Sequence, residues 1–162
     1  MRFGTRTDLG RCWTPKGVKQ IGNQHIGYDY GYLSVALNPL TGDVKMLILP
    51  NMTGASFQVF LDEFAKDLKA ESILITDGAT AHRSQKLKLD EKIKLELLPA
   101  YSPQLNPVER FFREIRRRLK NQVFTTYGEV EKAVIEIAKP FMKAKEAIKK
   151  LTCYDWLINT PS

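Results

Sequence analysis

Cysteine is scarce: Cys12 and Cys153 are the only two, and neither has a second Cys or a His at metal-ligand spacing. That argues against a disulfide framework and a Cys/His zinc site, and makes reduced thiols the default. No apolar run approaches the ~20 residues that a membrane-spanning helix needs, and no signal-peptide apolar region marks the N-terminus. A soluble cytoplasmic chain without a membrane partner is expected. Internal repeats and low-complexity tracts are missing as well. At 162 residues the chain can bury one good core, but hardly two. Acidic residues are the minority, 18 against 25 Lys and Arg, which leaves a formal charge of +7 and favours a polyanionic partner.

What is present concentrates between Ile73 and Leu119. Ile73, Leu74 and Ile75 form a continuous apolar run of the kind that suits a strand buried on both faces of a partly parallel sheet. The run stops at Thr76-Asp77-Gly78, so Asp77 lies at the carboxyl end of a strand, the edge where open α/β sheets bind ligands. Asp before Gly is also ordinary turn chemistry, and position alone leaves both readings open.

Further on, Asn106-Pro107-Val108-Glu109 reads as a helix start, with Asn106 at the N-cap and Pro107 at the first helical position. Glu109 then has capping-box spacing, and its carboxylate has a bland use in reaching back to the Asn106 N–H. The helix it begins carries Arg110, Arg113, Arg116, Arg117, Arg118 and Lys120, while Phe111, Phe112, Ile115 and Leu119 mark its buried side. A solvated face with Glu109–Arg113 pairing is the ordinary account of such a helix. A phosphodiester backbone lying along it is the functional one.

The whole string changes the balance. TDGATAH followed by LLPAYSPQLNPVERFF resembles the catalytic signature of DDE transposases of the Tc/mariner superfamily, in its bacterial insertion-sequence branch. That family carries an Asp-Asn-Ala stretch with a nearby His, then Leu-Pro-x-Tyr-Ser-Pro-x-Leu-Asn-Pro-x-Glu. The second half matches across Leu98 to Glu109; in the first, Gly78 stands where Asn is usual. Asp77 and Glu109 lie 32 positions apart, close to the family's usual mid-thirties. Phe3-Gly4 and Trp13-Thr14-Pro15-Lys16-Gly17 resemble the family's stretch after its first catalytic Asp, which in this alignment falls immediately before Met1.

The resemblance implies an α/β, ribonuclease-H-like domain with a mixed sheet flanked by helices and its first strand largely missing. Residues 1–162 are then a single catalytic domain, a fragment without the N-terminal helix-turn-helix region. It implies Mg²⁺ or Mn²⁺ held by Asp77 and Glu109, the usual arrangement being two ions roughly 4 Å apart among clustered carboxylates. With the first Asp outside the chain, Asp8, Asp29 and Asp43 are poor substitutes, being placed in loop, strand and hairpin turn. DNA is the implied partner, with His82, Arg110, Arg113, Arg116, Arg117 and Lys120 as contacts; His82 has the alternative of orienting Asp77. Tyr101 and Ser102 shape the loop or touch DNA. A homodimer and an upstream-encoded transposase segment are further partners it allows. Two other readings stay open: a catalytically inactive basic nucleic-acid-binding remnant, and an unrelated α/β domain with a turn Asp and a capping Glu.

The remaining elements follow from pattern. Residues 1–23 read as mostly loop, His25 to Leu37 and Val44 to Leu49 as a hairpin, and a helix is expected from about Thr53 to Lys69. Strand Ser72 to Thr76, a short helical stretch and strand Ile93 to Leu98 come next. Beyond the motif, Thr126 to Ala138 and Pro140 to Leu151 read as helices, with Trp156 and Leu157 tying down the tail.

Overall fold

Aromatic and branched residues alternate with small ones through Tyr30–Leu37. In the computed structural model, which describes residues 1–11, 13–19 and 21–158, these residues form strand β2. The element labels used below follow chain order, with β1 at Arg2–Gly4 and β3 at Val44–Leu49. β2 pairs antiparallel with β3, from Tyr32 opposite Leu49 to Leu37 opposite Val44. In the turn between them Gly42 has φ +76, and a Cβ there would lie 2.3 Å from the Lys145 carbonyl oxygen, so only glycine fits.

Two expectations are corrected here. Arg2–Gly4 is strand rather than loop, pairing antiparallel with β2 across Gly31 and Tyr32. The segment from His25 to Asp29, expected to be strand, gives only separate backbone bonds, Thr5 N–H to Asp29 O and Thr7 N–H to His25 O.

Helix α1, Gly54–Ala65, is started by Thr53, whose hydroxyl accepts from the Ser56 N–H, and it ends short of the expected Lys69. Its Phe57, Phe60 and Leu61 are buried, each contributing about 1.5–3 kcal/mol. Strands β4, Ser72–Thr76, and β5, Ile93–Leu97, pair in parallel from Ser72 opposite Ile93 to Thr76 opposite Leu97. The antiparallel and parallel portions are separate hydrogen-bonded sheets.

The expectation that Ile73 to Ile75 is buried on both faces does not hold. Leu74 packs toward α1, while Ile73 and Ile75 are 62% and 57% exposed. The short helix expected after β4 is replaced by turns such as His82 N–H to Ala79 O. That stretch offers only Ala81 and Leu87 toward the core, while Leu89 is exposed, too few for an amphipathic helix.

Four further α-helices follow among the described residues: α2 (Val108–Leu119), α3 (Tyr127–Ala138), α4 (Lys145–Thr152) and the short α5 (Asp155–Ile158). A capping box between Thr126 and Glu129 starts α3. Around Pro140 the chain runs as a 3₁₀ turn, Lys139–Met142, so the helix expected from Pro140 begins only at Lys145. In the tail Trp156 is 47% exposed and stacks on Tyr154 at 5.7 Å. Cys153 is a half-buried free thiol, and Cys12 lies outside the described residues.

Two apolar clusters result. One joins β2 to α2, α3 and α4 around Phe111, Ile115, Val134 and Ile148. The other sets α1 against Ala36 and Leu49 of the antiparallel sheet and also against Leu74 and Leu95 of the parallel pair. No described helix is long and apolar enough to cross a membrane.

Candidate active site

Asp77 emerges directly from the end of β4. Its Oδ1 accepts from the Ala79 N–H at 3.1 Å and lies 2.7 Å from His82 Nδ1. The same imidazole nitrogen is 3.1 Å from the Asp77 carbonyl, and the ring rests on Phe57 with centroids 4.3 Å apart. His82 is therefore turned inward, its side chain 14% exposed, while the carboxylate it holds is 60% exposed. That placement matches the orienting alternative for His82 more closely than a direct DNA contact.

Glu109 reaches the same place from the other side. The proline-rich lead-in closes a 3₁₀ turn, Pro103–Leu105, in which the Asn106 N–H donates to the Pro103 carbonyl. The Asn106 side chain accepts from the Val108 N–H at 3.1 Å. With the Asn106 N–H already used, the reciprocal bond of a capping box has no donor left. The Glu109 carboxylate instead sits half-buried, 3.6 Å from the guanidinium of Arg116, two turns along α2.

Asp77, Gly78, Arg83 and Glu109 line one cleft of about 460 Å³, closed on one side by residues 98–103. Fully exposed Tyr101 sits on that wall at φ +59, an uncommon conformation for a bulky residue. The Met1 ammonium, which donates to the Leu33 carbonyl at 2.6 Å, lies within the field of both carboxylates. Burial takes its pKa from 8.0 to about 6; Glu109 opposes that shift, Arg116 adds to it, and Asp77 opposes it.

Two carboxylates from separate elements fit a hard divalent ion, since Mg²⁺ is commonly bound through one or two carboxylates and keeps several waters. Among the described residues no third His, Cys, Asp or Glu completes a cluster. Of the substitutes considered, Asp43 is engaged by Lys145 at 2.6 Å, Asp8 lines a different groove beside Arg6, and Asp29 is not part of the cleft.

The basic face of α2 is more engaged than its sequence suggests. Arg110 stacks over the Tyr154 ring at 3.8 Å. Arg117 grips Glu114 through two bonds of 2.8 and 2.9 Å, and Arg118 takes the same carboxylate at 2.8 Å. Arg113 and Lys120 are exposed. Hydrogen bonds from Arg117 and then Arg118 lower the Glu114 pKa from 4.5 to about 2. The stability this pairing provides is full above pH 4.5 and is lost as pH falls through about 2. Glu114→Gln should therefore flatten the fall in Tm between those limits, as thermal melts across acid pH will show.

Reading the sequence missed Glu114 and Arg83. Glu114 had a signal in its spacing, three and four residues before Arg117 and Arg118. Arg83 had only its adjacency to His82.

Comparison with known proteins adds four findings. A family model described as DDE superfamily endonuclease matches residues 1–131. The uncharacterized protein y4pE/y4sA of Sinorhizobium fredii (strain NBRC 101917 / NGR234) is 34% identical over 104 residues, 62% of this chain and 77% of that one. Among solved structures, the Mos1 transposase paired-end complex with left transposon end matches with TM-score 0.58 at 17% identity, covering 95% of this chain and 54% of that chain. The Mos1 mariner paired-end complex with Mn matches with TM-score 0.61 at 17% identity, covering 93% and 51%. The chain thus spans about half the length of these solved relatives. The likeness establishes the fold, a ribonuclease-H-like α/β domain.

Proposed function

Starting from a chain that belongs to the DDE superfamily of endonucleases, we propose that it is the catalytic domain of a Tc/mariner-type transposase. Its substrate is the DNA phosphodiester, and Asp77 and Glu109 are its metal-holding acids. The observation that carries this reading is that a strand end and a helix start deliver two carboxylates into one cleft, while α2 extends from that cleft with a guanidinium-rich face.

The family implies a divalent metal; Asp77 and Glu109 would hold Mg²⁺ or Mn²⁺, which would supply the charge to activate a water or 3′-hydroxyl and to stabilise a leaving oxygen. The chain's own contribution is placement. His82 keeps the Asp77 carboxylate facing the cleft, a supporting contact of the kind whose loss costs about 10–100-fold in metal affinity. His82→Ala should accordingly weaken Mn²⁺ binding by about that factor, measured by isothermal titration at a temperature where melts show the variant folded, since the ring also packs on Phe57.

Exposed cations of α2 hold the nucleic-acid backbone. The test is the salt dependence of duplex binding, which steepens with each phosphate neutralised. Replacing Arg113, Arg116 and Arg117 together by Ala should lower the slope of log K against log salt by about one, because Arg116 already faces Glu109 and Arg117 faces Glu114. Glu114→Gln should shift it the other way by releasing Arg117 and Arg118. An unchanged slope in both variants would show that this face meets no DNA.

One observation favours a second reading, a DNA-binding remnant without cleavage: no third acid joins Asp77 and Glu109 among the described residues. Binding without nicking, even when an acidic residue is supplied directly ahead of Met1, would select it.

A further inference from the structure

The geometry points to Arg83 as a phosphate-holding residue of the cleft, seated there because position 78 has no side chain. This deepens the reading of the chain as an enzyme of DNA phosphodiesters and rests on it.

The Arg83 guanidinium lies beside Gly78. A Cβ added at Gly78 would stand 2.4 Å from Nη2, 3.0 Å from Cζ and 3.1 Å from Nε of Arg83. Arg83 therefore occupies the space that any side chain at 78 would claim. Its own backbone is set by the turn after β4, where its N–H donates to the Ala79 carbonyl at 3.2 Å.

Three guanidinia of α2 each have a carboxylate partner: Arg116 has Glu109, and Arg117 and Arg118 share Glu114. Arg83 lines the same cleft as Asp77 and Glu109 yet forms no ion pair with any described residue. Arg83 is exposed, and no carboxylate among the described residues engages its guanidinium. A planar fork of N–H donors suits the non-bridging oxygens of a phosphate. A cleft built on two carboxylates repels a phosphodiester, and a guanidinium in the same cleft counters them alongside any divalent ion they hold.

Arg83 is thus the cleft's own contact to the strand being cut, distinct from the helix that holds the flanking backbone. Gly78 makes the contact possible by being small. The sequence departs here from the Asn usual in the family's motif, and the guanidinium fills the volume that an Asn side chain would take.

The test separates position from charge. Gly78→Ala keeps the charge of Arg83 and evicts its guanidinium; Arg83→Gln removes the charge and keeps the space. Binding of a short duplex oligonucleotide is followed against salt by fluorescence anisotropy, with circular dichroism melts confirming that each variant is folded. Each single variant should lower the salt slope by about one, and the double variant should be no weaker than either single one. A Gly78→Ala chain that binds like the wild type, or single losses that add in the double variant, overturns the inference while leaving the DNA reading intact. A wild-type chain that binds no duplex at low salt overturns both. Should Gly78→Ala fail to fold, Arg83→Lys decides: loss of the planar fork should weaken binding even with the charge kept, and unchanged binding overturns the contact.

Discussion

Asp77→Asn and Glu109→Gln will each abolish Mn²⁺-dependent nicking of supercoiled DNA by a chain that carries an aspartate directly ahead of Met1. The chain beginning at Met1 should nick at background, because among its described residues the cleft holds two acids and no third. An aspartate added there joins the chain at a nitrogen already within the field of Asp77 and Glu109. Its charge is thereby brought within range of the other two, although Met1 itself lines the neighbouring groove. The amide substitutions keep size and hydrogen bonding but remove the charge that a hard cation requires. Nicking that survives Glu109→Gln would leave Glu109 as a mere partner of Arg116. Strong nicking by the chain without the added aspartate would mean that Asp8, Asp29 or Asp43 reaches the cleft after all, against their placement elsewhere.

Phe111→Ala should be the most damaging single change to stability. Phe111 is completely buried and meets the Phe141 ring edge-on at 5.2 Å. Removing a ring from such a site costs roughly 3–5 kcal/mol through lost transfer energy and the cavity left behind. In a domain of this size that lowers Tm by on the order of 10 °C. Ile135→Ala, at a position 45% exposed on α3, should change stability by no more than about 0.5 kcal/mol. Equal losses at the two positions would show that α2 is not anchored through Phe111. The consequence reaches the site, since α2 begins with the turn that carries Glu109, and loosening its core side loosens that carboxylate.

Much of the architecture was legible where local chemistry decides it. Helices expected near Thr53 and from Thr126 begin where those threonines cap them, and β3 and β4 span the expected Val44 to Leu49 and Ser72 to Thr76. Features that depend on distant partners were not. Arg2–Gly4 is a strand only because β2 offers it an edge, with the Leu33 N–H reaching the Met1 carbonyl at 2.8 Å. Periodicity shows that Ile73 and Ile75 are apolar but not how many faces of their sheet are covered. Asp77 and Glu109 stood out through the motif, yet capping remained a fair account of Glu109 until the Asn106 N–H was found bonded to Pro103. Arg83 depends on the space left by Gly78, a letter whose use shows only once the turn brings residue 83 back beside it.

The two carboxylates stand on different cores. Asp77 ends a strand whose Leu74 belongs to the α1 cluster, and Glu109 starts a helix whose phenylalanines belong to the other cluster. A ligand gripped by both acids acts as a cross-brace between them. Local opening of β4 and β5 on one side, and of the first turn of α2 on the other, would then cease to be independent events. Hydrogen exchange with and without Mn²⁺ would register this as protection gained together in both segments, and Asp77→Asn would remove that gain from α2 as well as from the strand it terminates.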